Sequence, residues 1–94
     1  MNQIELNFQK RSITGLAGNP FGKSVYKEQV ASKLNPDLEN VIVFPDQIED
    51  IAISFIQGFF TELVNKYSYD QIRRMIKIKA GSDFVEQKIW ENIY

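Results

Sequence analysis

The chain contains no cysteine and no histidine. Without thiols it forms no disulfide, thiolate metal site or cysteine nucleophile. Without imidazole it lacks the side chain that titrates near neutral pH, so neither a Ser-His-Asp nor a Cys-His mechanism can be assembled. Zinc and other transition metals draw mostly on these two ligand types, which leaves only an all-oxygen site for a metal. Net charge is nearly absent as well: 11 Lys and Arg against 12 Asp and Glu leave −1. Such a balance projects no long-range field to gather nucleic acid or an anionic membrane surface. No apolar run approaches the roughly 18 residues of a membrane span. Met1-Asn2-Gln3-Ile4-Glu5-Leu6 has no basic segment followed by an apolar one, so it does not read as a secretory signal. The expectation is a cytoplasmic protein with no cofactor and no membrane partner.

What is present is material for a core. The 94 residues are 44% hydrophobic and 13% aromatic, and a chain of this length predicts one domain, residues 1–94. Ile4, Leu6 and Phe8 alternate with Glu5, Asn7 and Gln9, the period of a half-buried strand. Lys10-Arg11-Ser12 offers a turn, after which Ile13 and Leu16 suggest a second strand and a hairpin. Residues 15–24 hold three glycines and a proline and predict a loop, with Asn19-Pro20 as N-cap and first helical position. The helix that follows extends to about Leu34, with Tyr26, Val30 and Leu34 on one stripe.

Val41-Ile42-Val43-Phe44 is a continuous apolar run, the pattern of a strand buried on both faces at the centre of a sheet. From Ser54 onward Phe55, Ile56, Phe59, Phe60, Leu63, Val64 and Tyr67 recur with helical spacing. Ile72, Met75, Ile76 and Ile78 predict a last strand over about residues 72–79. Gly81-Ser82-Asp83 opens a final helix, with Asp83 and Glu86 as a capping box and Phe84, Val85, Ile89, Trp90 and Ile93 as its inner face. Alternating strands and helices predict an α/β sheet covered by helices, joined by right-handed crossovers.

Several of these segments carry a family likeness. Val41-Ile42-Val43, Ile48, Ile51, Ser54-Phe55 and the helix through Phe60 and Leu63 resemble the STAS-like domain family of unknown function. Gly18 through Gly22-Lys23 resembles its glycine-bearing loop, and Ile76-Lys77-Ile78 with the helix from Asp83 resembles its last strand and helix. The likeness runs over about residues 4–93. It implies a small sheet of about four strands covered by about three helices, related to anti-sigma-factor antagonists. Those domains dock onto an ATPase-type kinase and are switched by phosphorylation of a serine at a helix start, which Ser54 matches here. The chain departs from the family in having Phe44-Pro45 in place of Asp-Phe, and Gln57-Gly58 in place of acidic residues.

The likeness implies a non-catalytic protein-interaction module. Its partner surface would comprise the loop with Gly18, Phe21, Gly22 and Lys23, the segment with Asp46, Glu49 and Asp50, and the helix start with Ser54, Phe55 and Gln57. The partner would be a kinase-like ATPase or a transcription regulator; a phage-defence inhibitor or antitoxin-like binder is the alternative. Ser54 has two readings. A helix N-terminus welcomes a phosphate, whereas Ser54 with Gln57 also reads as a plain capping box. Gly18 to Ser24 has three residues between glycines instead of the four of a phosphate-binding loop, so it reads as a turn into a helix or as part of a docking surface. Lys66, Arg73, Arg74, Lys77 and Lys79, near Tyr67 and Tyr69, offer a nucleic-acid surface or a solvated sheet edge. Asp46, Glu49 and Asp50 complement a basic partner or form an exposed loop. Trp90 and Tyr94 suit core packing or a homodimer contact.

Overall fold

The computed structural model describes residues 1–8, 10 and 12–93. Gln9 of the expected strand alternation, Arg11 of the expected turn and Tyr94 of the expected terminal packing lie outside them. The order is β1 (Asn2–Glu5), β2 (Gly15–Leu16), α1 (Asn19–Val25), β3 (Asn40–Val43), β4 (Asp50–Ile51), α2 (Ile53–Lys66), α3 (Tyr69–Met75), β5 (Ile76–Lys79) and α4 (Asp83–Glu91). A π-helical stretch, Tyr26–Val30, continues α1. The fold is α/β, with four α-helices and two small parallel sheets among the described residues, in place of one sheet of about four strands under about three helices.

The larger sheet has the order β1-β3-β5, all parallel. Its centre is the apolar run, as expected. Residues Asn2–Glu5 pair with Asn40–Val43, which pair in turn with Ile76–Lys79. The smaller sheet pairs Gly15 with Asp50 and Leu16 with Ile51, again parallel. Among the described residues the expected hairpin is therefore not formed: Leu16 pairs with a strand 35 positions downstream, and Ile13 lies outside any strand. Gln47 explains part of this. Its amide donates to the carbonyls of Lys10 and Ile13, each at 3.0 Å, and ties the incoming segment to the β3–β4 loop.

The expected strand over 72–79 is half helix. Ser68 Oγ accepts from the Gln71 backbone N–H at 3.2 Å, and Gln71 Oε1 accepts from the Ser68 backbone N–H at 2.8 Å. This capping box starts α3, and the strand begins only at Ile76. Ile72, Met75 and Ile76 stand at i, i+3 and i+4, a helical spacing that their β-branched content disguised. The last helix is capped by Ser82, not Asp83: Ser82 Oγ accepts from the Val85 amide at 3.3 Å, while Glu86 accepts from the Ala80 amide at 3.3 Å. Phe84, expected on the inner face, is 63% exposed, because the buried stripe is Val85, Ile89 and Ile93.

One hydrophobic core joins both sheets to the helices. Phe59 sits at its middle, with ring centroids 5.7 Å from Tyr26, 5.8 Å from Phe44 and 5.2 Å from Phe60. Two glycines let α1 reach this core. A Cβ on Gly22 would collide with the Phe55 carbonyl and lie 2.8 Å from the Phe59 nitrogen, and a Cβ on Gly58 would collide with the Asn19 carbonyl. Neither position tolerates a side chain because backbone faces backbone at both.

At the opposite end of the sheet Asn40 is fully buried and saturated. Its amide donates to Asn35 O at 2.8 Å, Leu38 O at 2.9 Å and Met75 O at 3.2 Å. Its Oδ1 accepts from the Asn35 backbone at 2.9 Å and from Asn2 Nδ2 at 2.8 Å. One side chain thereby clamps the entry loop of β3 to the starts of β1 and β5.

Gly58→Ala is expected to lower stability by about 3 kcal/mol through backbone overpacking. Asn40→Ala is expected to cost about 3 kcal/mol by orphaning buried partners. Both are read from urea denaturation midpoints. A loss below about 1 kcal/mol would contradict the close approach or the clamp, respectively.

Candidate functional site

The sequence-predicted surface residues divide into two groups. Gly18, Phe21, Ser54 and Phe55 come together where α1 and α2 both begin. Gly18 caps α1 with φ 99°, a left-handed conformation that suits glycine. Its amide donates to Ser54 Oγ at 3.2 Å. Phe21 lies one turn into α1, its ring centroid 5.5 Å from Phe55 and 6.2 Å from Phe8. Asp46 and Asp50 lie elsewhere. The Asp46 backbone packs against Gly81, and Asp50 pairs with Lys88 of α4 at 2.9 Å. Glu49 is exposed between them, its amide donating to the Thr14 carbonyl at 2.7 Å.

Ser54 does not cap α2. The N-cap is Ala52, with no side-chain cap, and Ser54 is the second helical residue. Its hydroxyl oxygen accepts from the α1 cap instead, so the expected Ser54–Gln57 capping box gives way to a bond between two segments 36 residues apart. Ser54 remains exposed. Gly22 and Phe55 are buried and offer a partner nothing directly; their work is the close approach of α1 and α2. Gln57 and Lys23 are exposed. Lys23 borders a groove of about 330 Å³ between the helices, which it lines with Tyr26, Lys27, Gly58, Thr61 and Glu62.

Two apolar side chains stand open beside the Gly18–Ser54 bond. Phe21 is 41% exposed, and Ile53, which precedes Ser54, is 47% exposed. Phe21 also walls a groove of about 340 Å³ with Phe8, Ile13, Val25, Lys10 and Glu28. Ile53 escaped the sequence reading, which starts the helix at Ser54. It stands three and seven positions before Ile56 and Phe60, on the edge of their stripe, yet as the first residue of α2 it is left open. Exposed apolar side chains that lie together mark a contact surface.

The basic residues do not form one patch. The Arg73 guanidinium lies 4.2 Å from the Trp90 ring centroid, a cation–π contact. Arg74 faces a different groove, shared with Tyr67, Gln71 and Pro36. Lys77 and Lys79 stand on the exposed face of β5, and Lys66 ends α2. Trp90 itself is half-buried against Phe60 and Tyr69, with ring centroids at 6.3 and 6.5 Å.

The surroundings of Tyr26 and Asp50 shift their titration. Burial, reinforced by Glu62 and Tyr67, pushes the Tyr26 phenol up to about 12. The Lys88 hydrogen bond, helped by the Ile51 amide, holds the Asp50 carboxyl below its ordinary value. Among the described residues no group of three or more acidic side chains is placed to hold a metal ion, and no helix is long and apolar enough to cross a membrane.

No family model matches the chain, and neither curated proteins nor solved structures yield a match to it.

The Tyr26 phenol is raised from 10.0 to about 12, so between those values the unfolded chain releases its proton while the folded chain retains it. Stability is therefore expected to fall as pH rises from 10 toward about 12. Tyr26→Phe should flatten that decline in urea midpoints; an unchanged slope would place the phenol in water. Asp50 works in the opposite direction. Its stabilising effect is present above its unfolded value and fades as acid titrates the depressed carboxyl. Lys88→Met should shrink that acid-side component, leaving the part due to the Ile51 amide, and added salt should reduce it in the wild type.

Proposed function

We propose that the chain is a non-catalytic interaction module of the STAS-like kind, docking a protein partner through the surface where α1 and α2 begin. The observation that carries this reading is the hydrogen bond from the Gly18 amide to the exposed Ser54 hydroxyl, flanked by the open side chains of Phe21 and Ile53. Buried contact between apolar side chains supplies docking energy. The serine beside them supplies a way to remove it.

Phosphorylation of Ser54 would place roughly −2 charges next to Phe21 and Ile53. The modified serine, second in a 14-residue helix, would meet the free N–H groups and positive dipole end of α2. The fold would thus tolerate the phosphate while an apolar partner would not. The phosphate would also crowd the Gly18 amide that now binds the hydroxyl, disturbing the α1 cap on the same surface. The partner that fits the family likeness is a kinase-like ATPase. Asp46 and Asp50 lie toward α4, and Asp50 is already engaged by Lys88, so they belong to the margin of this surface.

The test compares affinity capture by wild type, Phe21→Asp, Ser54→Asp and Arg74→Ala. A protein retained by wild type and Arg74→Ala but lost from the other two, with kinase activity toward Ser54 detected by mass spectrometry, is the expected result. Equal capture by all four, or no Ser54 phosphate with the captured ATPase and ATP, contradicts the proposal. Loss of binding is expected to exceed tenfold for Phe21→Asp, in keeping with about 2 kcal/mol for a central contact.

A further inference from the structure

The three-stranded sheet has two faces, and the described residues cover only one. Ile4, Ile42, Ile76 and Ile78 point into the core. On the other face the register forms two rows, Gln3–Val41–Lys77 and Glu5–Val43–Lys79. Gln3, Glu5, Lys77 and Lys79 are exposed, and Val41 and Val43 are only half-buried. The sequence predicts a strand buried on both faces at this position, and the fold of one chain does not deliver it. All-parallel sheets are found almost only with both faces covered.

We propose that a second copy of this chain covers that face, making a dimer whose two-fold axis runs between the sheets, parallel to the strands. The charge pattern selects both occupant and axis. Each row reads polar or acidic on β1, valine on β3 and basic on β5. Turning a copy about an axis parallel to the strands keeps every row at its height and exchanges the edges. Glu5 then faces Lys79 of the second copy, Gln3 faces Lys77, and each valine faces its own equivalent. Turning about an in-plane axis perpendicular to the strands would set β1 against β1 and β5 against β5, with lysines opposite lysines. The first arrangement is isologous and self-complementary, as a closed dimer requires. Strands about 4.8 Å apart put the two charged edges about 10 Å from each other, similar to the usual spacing of stacked sheets, so the end side chains can meet across the interface.

The surface differs from the one that begins α1 and α2, so dimerisation and partner docking can succeed or fail separately. Sedimentation equilibrium over a dilution series provides the test. Wild type is expected to show a concentration-dependent mass between one and two chains. Lys79→Glu or Glu5→Lys alone is expected to raise the dimer dissociation constant about tenfold, and the Glu5→Lys/Lys79→Glu double variant to recover most of that loss. Val43→Lys is expected to leave only monomer, and Phe21→Ala to change nothing. All the charge changes sit on exposed side chains, so they remain decisive even if Val43→Lys does not fold, as checked by circular dichroism. A wild type that is monomeric at every concentration overturns the proposal, including the case in which another protein occupies this face. So does a dimer unaffected by the single charge reversals, or one that the double reversal fails to restore.

Discussion

Two helix backbones touch where Gly22 of α1 faces Phe55 and Phe59, and where Gly58 of α2 faces Asn19. Side chains normally hold packed helices 8–10 Å apart, and removing two Cβ atoms at the crossing lets them come closer. Much follows from that approach. It presses Phe21 against Phe55, delivers Tyr26 to the edge of Phe59, and carries the Gly18 amide to within 3.2 Å of Ser54. The exposed surface at the helix starts is thus a by-product of a buried contact. A larger residue at 22 or 58 would alter the docking surface without touching it.

The sheet is held from its other end by different means. Asn40 exchanges hydrogen bonds with Asn2, Asn35, Leu38 and Met75, replacing water for each group it buries. A buried amide that reaches three segments fixes register, since sliding any strand by one residue would orphan several of its bonds. Backbone approach at one end and a saturated amide at the other leave the middle to apolar packing, where Phe44 meets Phe59 and Ile42 pairs with Ile78. A small domain has little stability to spare, so these two anchor points weigh more than any exposed ion pair, Asp50–Lys88 included.

Docking surface and bare sheet face lie on different elements and use different chemistry. One joins two helix starts and combines aromatic and aliphatic side chains with a hydroxyl. The other is a strip of valines between charges of opposite sign. A dimer formed through the sheet would leave Phe21, Ile53 and Ser54 of both copies open, giving a bivalent particle. Bivalence raises apparent affinity for a partner that is itself dimeric, with no new contact required.

The central strand, the long helix and the final helix were legible from residue spacing, because Val41–Phe44, Phe55–Leu63 and Val85–Ile93 each carry a single strong period. So were the absence of thiol and imidazole chemistry and the proximity of Ser54 to a helix start. The pairing of Leu16 with Ile51 was not legible, since two-residue strands have no period and their partner is set by Gln47 and the β3–β4 loop. The helix at 69–75 was disguised by Ile72 and by the isoleucines that follow at 76 and 78, although Ser68 and Gln71 announced its cap. The role of Ser54 was decided by tertiary structure alone: its hydroxyl answers to Gly18, 36 residues away, and only the glycine crossing brings that amide within reach. Local composition can select a strand or a helix because propensity and period act over a few residues. Which distant groups meet depends on packing the whole core, and the sequence carries that information only jointly.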